Sequence, residues 1–197
     1  MAELTGQKRR AWIGPVVGLS LIVQMLLLCL GVSFWFRVFT RGSFTRRSHT
    51  RYSEAIANLK AAYVAETSYF KETGRYEESV EEVGFLPERS NRYRYVFSRT
   101  GDSFSPGDPP DGGTHTGILA DTAYHPSTNN ALLLSGIPPA LMSTAGIDKT
   151  GITIIAAGDI DSDPTIDVWS ISTNNRIIDG GVVKAGTPFR HVNDTDL

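Results

Sequence analysis

The stretch RYSEAIANLKAAYVAETSYFKETGRY, Arg51–Tyr76, carries the period that decides the fold. Tyr52, Ile56, Leu59, Tyr63 and Phe70 fall on one face at helical spacing, while Lys60, Glu66, Lys71 and Glu72 supply charge. Gly74 stops the helix, because a residue without Cβ takes the left-handed conformation that ends helices. An apolar stripe of this kind is a packing face, so the helix needs something to lie against.

Upstream, the stretch from Arg37 to Arg51 holds five arginines, and before it Ala11 to Phe36 is an uncharged run of 26 residues. At 1.5 Å rise that run makes roughly 39 Å of helix, enough to cross a hydrocarbon core of about 30 Å. Trp12 at one end and Phe34, Trp35 and Phe36 at the other sit where aromatic rings favour the headgroup region. The absence of a small-residue cleavage site after Phe36 argues against a removed signal, and Leu28 before Cys29 argues against a lipoprotein signal. The expected organisation is a basic tail over 1–10, a transmembrane helix over 11–36, a basic juxtamembrane helix over 37–51 and one globular domain over 52–197. Charge counting opposes Lys8, Arg9 and Arg10 to the five later arginines, which by itself favours a cytoplasmic domain. A ten-residue tail is easily retained inside, however, and long domains translocate with little regard to charge, so the domain is expected outside.

Downstream, RYRYVFS (Arg92–Ser98) alternates like a strand, GITIIAA (Gly151–Ala157) is a buried β run and IDVWSIS (Ile166–Ser172) alternates again. Asn174 and Asn175 mark a turn before RIID, and Gly180-Gly181 breaks that last strand. The expected class is α+β, a long N-terminal helix whose second half covers one face of a small antiparallel sheet. Arg99–Gly117, RTGDSFSPGDPPDGGTHTG, is rich in Gly, Pro, Ser and Asp and reads as exposed loop. His115 and His125 then read as solvated loop histidines without a third ligand, and His191 as a lone histidine in a polar tail.

Several function classes fall away. The net charge is −2, and no basic patch interleaved with aromatics lies outside the juxtamembrane arginines, which suit lipid phosphates rather than nucleic acid. Cys29 is the sole cysteine and lies in the apolar run, so the domain has neither disulfide nor cysteine metal site. No phosphate loop, nucleophile elbow or grouped nucleophile and base is present, so no enzyme is expected.

Ser53–Phe97, SEAIANLKAAYVAETSYFKETGRYEESVEEVGFLPERSNRYRYVF, resembles type IV pilin-like proteins, in which SEAxxNLK, a YF pair and GF-x-PER-x-NRY recur behind a membrane helix. Ala156–Ser172, AAGDIDSDPTIDVWSIS, resembles their sheet region. The resemblance implies a pilin fold and a non-catalytic subunit of a type IV pilus or a type II secretion pseudopilus, in the bacterial inner membrane with a periplasmic domain. Its partners would be the lipid bilayer and other membrane or pilin-like subunits. The chain departs from the pattern at the processing site. Its counterpart is Gly18-Leu19-Ser20-Leu21-Ile22-Val23, with Leu19 where such proteins have phenylalanine and Val23 where they have the glutamate that pairs with a neighbouring subunit's amine. The alternative is therefore an unprocessed, inner-membrane-tethered accessory or binding subunit of another membrane complex.

Asp159, Asp161 and Asp163 alternate in GDIDSDP, and Asp167 stands four residues further on. That carboxylate density suits Ca²⁺, which takes six to eight oxygen ligands, and some pseudopilins that the chain resembles hold calcium in such a loop. An EF-hand would need a glycine and a distal glutamate that are missing, so a polar turn ended by Pro164 is the plainer alternative.

Overall fold

The computed structural model describes residues 52–106, 113–161, 163 and 165–194. The membrane segment 11–36, the juxtamembrane stretch 37–51 and the Gly18-Leu19 site lie outside the described residues. Among the described residues no helix is long and apolar enough to cross a membrane.

Helix α1 is described over 52–73 and ends as expected, with Gly74 at φ +75° and its N–H donating to the Phe70 carbonyl at 2.8 Å. Its fully buried line is Ala55, Leu59, Ala62 and Glu66, with Tyr52, Ile56 and Tyr63 packed at the flanks. Two expectations are corrected here. Phe70 is 41% exposed and stacks on Tyr76 rather than entering the core, and Glu66, read as a surface charge, lies wholly inside. Both outcomes come from the 3.6-residue period, which places 55, 59, 62 and 66 on one line and carries 70 off it.

Among the described residues nine strands come after it. They are β1 (Tyr93–Val96), β2 (Asp102–Phe104), β3 (His115–Ile118), β4 (Gly146–Ile147), β5 (Ile152–Gly158), β6 (Asp167–Ser172), β7 (Arg176–Ile178), β8 (Gly181–Val183) and β9 (Phe189–Val192). The short helices are α2 (Val80–Val83), α3 (Asn130–Ser135) and α4 (Pro139–Met142). The main sheet runs β2-β3-β1-β5-β6-β9, with β4 paired to the start of β5. All its pairings are antiparallel except β2 with β3, so the sheet is mixed. The expected loop Arg99–Gly117 thus holds β2 and most of β3. Its composition hides them because both are short, and β3 owes its place to pairing with β1, Tyr95 opposite Ile118.

β5 is buried along its whole length because both sheet faces are covered. Ile152, Ile154 and Ala156 face the α1 side with Tyr93, Tyr95, Phe97, Trp169 and Ile171. Ile155 and Ala157 join Val96, Val168, Leu133 of α3 and Leu141 of α4 in a second core. This period-two split between two layers is why GITIIAA reads as a continuous apolar run. Gly158 is opposite Tyr93 in the register, and a Cβ there would stand 2.7 Å from the Tyr93 ring, so the aromatic lies directly over bare backbone.

β7 and β8 form a hairpin of their own, turned by Asp179 (φ 51°) and Gly180 (φ 76°), the two positive values of a type I′ turn. The glycine pair therefore makes a turn rather than a break in one strand. β9 pairs with β6, so the supposed polar tail is the sheet's edge strand, and His191 sits half-buried with Nε2 2.7 Å from Ser170 Oγ.

Candidate functional site

The face of α1 turned away from the sheet carries Ser53, Ala57, Lys60, Ala61, Val64, Ser68 and Lys71, all exposed, with Ser53, Ala57 and Ala61 the small side chains of its first described turns. Beside it, the segment after α2 leaves a cleft of about 560 Å³ lined by Ala57, Ala61, Ala65, Phe85, Leu86 and Asn91. Leu86 is 67% exposed at its rim. The residues of GFLPERSNRY build this wall in order. Gly84 caps α2, and Phe85 packs against the Tyr95 and Phe97 rings. Asp121 accepts from the Ser90 N–H at 3.0 Å, and buried Asn91 donates to the carbonyls of Tyr93 at 2.8 Å and Leu119 at 3.1 Å. The Arg92 N–H then donates to Glu54 of α1 at 2.7 Å, tying the wall to the helix. Burial holds the Glu54 carboxyl above its ordinary range despite that bond.

At the first described turn of α1 a buried ion pair fastens helix to sheet. Asp167 accepts from Arg190 Nε at 2.5 Å on one oxygen, and from Tyr93 Oη at 2.6 Å and Trp169 Nε1 at 2.5 Å on the other. The Arg190 guanidinium lies over the rings of Tyr52 and Trp169, 5.2 and 5.3 Å from their centroids. Burial first, and the Asp167 charge second, drive the Tyr93 phenol far above its ordinary pKa, so it stays a donor.

The aspartates expected to act together are separated. Carboxylate oxygens of Asp159 and Asp161 converge within 4.8 Å, and the third member of that group is Asp194, just beyond β9. Asp163 folds back on Thr165, accepting from its N–H at 2.7 Å and its hydroxyl at 2.6 Å, and these bonds hold its carboxyl below the ordinary range. Asp167 points into the ion pair just described. Asp194 accepts from the Ile160 N–H at 2.7 Å, and burial pushes its carboxyl up to about 6 against that bond and one from Thr165. No local pattern singles out Asp194, which comes into the group only because β9 pairs with β6. As a cation site the set offers two loop carboxylates and one that already serves as a backbone acceptor.

Sequence reasoning misses Glu66 as well. It is fully buried; its Oε2 stands 3.5 Å from the Glu77 N–H, and Oε1 has no partner among the described residues. Burial, reinforced by the charges of Glu77 and Glu78, raises its carboxyl to about 8. His115 is no solvated histidine: its Nδ1 lies 2.5 Å from Glu81 Oε1, joining β3 to α2. His125 Nε2 lies 2.8 Å from the Ser90 carbonyl, and among the described residues no histidine enters a cluster of metal-ligating side chains.

A helix with one face in an α+β head and its opposite face left exposed is the arrangement of the pilin class that the sequence resembles. The family model described as Type IV pilin PilA matches residues 46–167, and the chain belongs to that family. It is also similar to the type IV major pilin protein PilA of Myxococcus xanthus (strain DK1622), 28% identical over 173 residues, covering 75% of this chain and 79% of the relative.

Proposed function

We propose that this chain is a membrane-anchored structural subunit of a type IV pilus or a related type II secretion assembly, without catalytic activity. The observation that carries the reading is α1: one face is consumed by the head, and the other is left exposed, with Ser53, Ala57 and Ala61 small enough for close approach by another subunit beside Lys60. The Ala11–Phe36 run supplies the anchor in the bacterial inner membrane, with the head on the periplasmic side and other pilin-like subunits as partners. Shearing cells and probing the released fraction tests this. A filament subunit appears there, and a chain found solely in inner-membrane fractions refutes the reading.

Val23 in place of a glutamate, and Leu19 after Gly18, favour a second reading, an unprocessed tethered subunit of another membrane complex. N-terminal sequencing separates the two. A mature terminus at Leu19 supports the pilus subunit, and one at Met1 or Ala2 the tethered module.

For the acidic loop the reading is a structural Ca²⁺ held by Asp159 and Asp161 with Asp194, in place of the four aspartates expected from spacing. The ion would offset the repulsion among these carboxylates and fix the β5–β6 connection to the end of β9.

A further inference from the structure

The antiparallel pair β5–β6 is electrically polarised along its length. Where β5 ends and β6 begins, Asp159, Asp161 and Asp163 stand with no lysine or arginine among residues 158–166. Where β5 begins and β6 ends, a cleft of about 870 Å³ is lined by Arg99, Lys149 and Arg176 with Asp148, and at its edge the Glu78 carboxylate accepts from the Ile147 N–H at 2.9 Å. Three cations less two carboxylates leave that wall at +1, in a chain whose net charge is −2.

Asp148 Oδ1 accepts from the backbone N–H groups of Thr150 at 2.7 Å and Gly151 at 2.8 Å. Among the described residues none of the three cations forms an ion pair. Lys149 is exposed and, among the described residues, has no ion pair; Arg99 reaches the Ser143 carbonyl at 3.3 Å and is otherwise turned to solvent. Arg176 is braced by Ser170 Oγ at 2.6 Å, while its buried Nε has no partner among the described residues. No aromatic ring lines the cleft, so it offers no stacking platform for nucleic-acid bases. Seven of its thirteen lining residues carry neutral hydroxyl or amide groups, suited to peptide carbonyls and carboxylates.

We propose that this cleft receives the Asp161–Asp163 loop of the next copy of the chain, making a head-to-tail contact between subunits. The inference rests on the pilus-subunit reading above and names a partner surface for it. The two ends of β5 are roughly 20 Å apart at 3.3 Å per residue, so cleft and loop of one copy cannot meet. A contact between two different patches of the same molecule is heterologous, and where its rotation does not close into a ring it builds an open helical array when repeated. The loop stays acidic with a divalent ion on it, since −4 from Asp159, Asp161, Asp163 and Asp194 becomes −2. Opposed charge of this kind sets register and rejects wrong alignments more than it adds affinity.

Zero-length carbodiimide coupling on sheared filaments of the full chain, read by mass spectrometry, tests the contact. The expected product is an amide between Lys149 and Asp161 or Asp163. Filaments that yield other inter-subunit links and none between Lys149 and this loop overturn the inference while leaving the pilus reading intact. In parallel, Lys149→Glu and Asp161→Lys should each lower the sheared fraction by roughly tenfold at unchanged cellular level. The combined swap should restore it, an outcome that loss of a metal ligand at Asp161 would not give. Single reversals without effect, or a double variant no better than either, also overturn it. A wild-type chain that yields no sheared fraction at all refutes the pilus reading itself.

Discussion

Replacing Glu66 by Gln should flatten the pH dependence of this protein's stability. Glu66 is fully enclosed between α1 and the segment leading to α2, with one oxygen unpartnered among the described residues and the carboxylates of Glu77 and Glu78 nearby. Its carboxyl is carried from an ordinary 4.5 to about 8. The folded protein therefore holds a proton that the unfolded chain has already released. Below 4.5 both states are protonated and nothing is lost. Between 4.5 and about 8 the unfolded state gains by ionising, so stability falls as pH rises, and above about 8 the loss is complete. At 1.36 kcal/mol for each tenfold, the interval from 4.5 to about 8 corresponds to at most about 5 kcal/mol. Water entry and movement of the covering segment reduce this to roughly 2–4 kcal/mol. Denaturant unfolding of the full chain in mild detergent, wild type against Glu66→Gln at half-unit steps from pH 4 to 9, reads it directly. A buried amide has its own cost, but that cost does not vary with pH, so the test is the slope of the difference and not its offset. Two stability curves running parallel across that range would refute this account of Glu66.

Other perturbations address the remaining contacts. Arg190→Ala should cost about 3 kcal/mol in the same unfolding assay, because it strands the enclosed Asp167 carboxylate with two neutral donors. Gly158→Ala should cost about 1–3 kcal/mol in that assay by forcing the Tyr93 ring off its neighbour. If Ca²⁺ sits on Asp159, Asp161 and Asp194, a calcium-loaded sample should melt higher than one treated with chelator, and Asp194→Asn should abolish the difference; equal melting temperatures leave the loop as a plain polar turn.

Whatever repeats locally is legible in the chain. The helix and its Gly74 stop, the strands at 93–96, 152–158 and 167–172, and the α+β class all come from periods of 3.6 and 2 within a short window. Features that depend on distant partners are not. β2 and β3 are too short to show a period, and β9 looks polar because an edge strand has one side in water. Asp167 and Asp194 exchange the roles that spacing suggests because β6–β9 pairing brings Arg190 to the first and carries the second toward Asp161. Glu66 is the instructive miss, since its position is readable: 55, 59, 62 and 66 form one line, and register there outweighs residue type.

The way β9 closes the structure sets the order in which the head can be completed. Arg190 and Asp194 are the partners that Asp167 and Ile160 wait for, and Tyr52 at the near end of α1 waits for Arg190 too. Until residues 189–194 have left the ribosome, β6 is an open edge with an unneutralised carboxylate behind it. Folding of the head is therefore a late event governed by contacts far apart in the chain, expected on the slow, millisecond-to-second side of small domains. Whatever handles the nascent chain must keep that open edge from meeting its copies before β9 arrives.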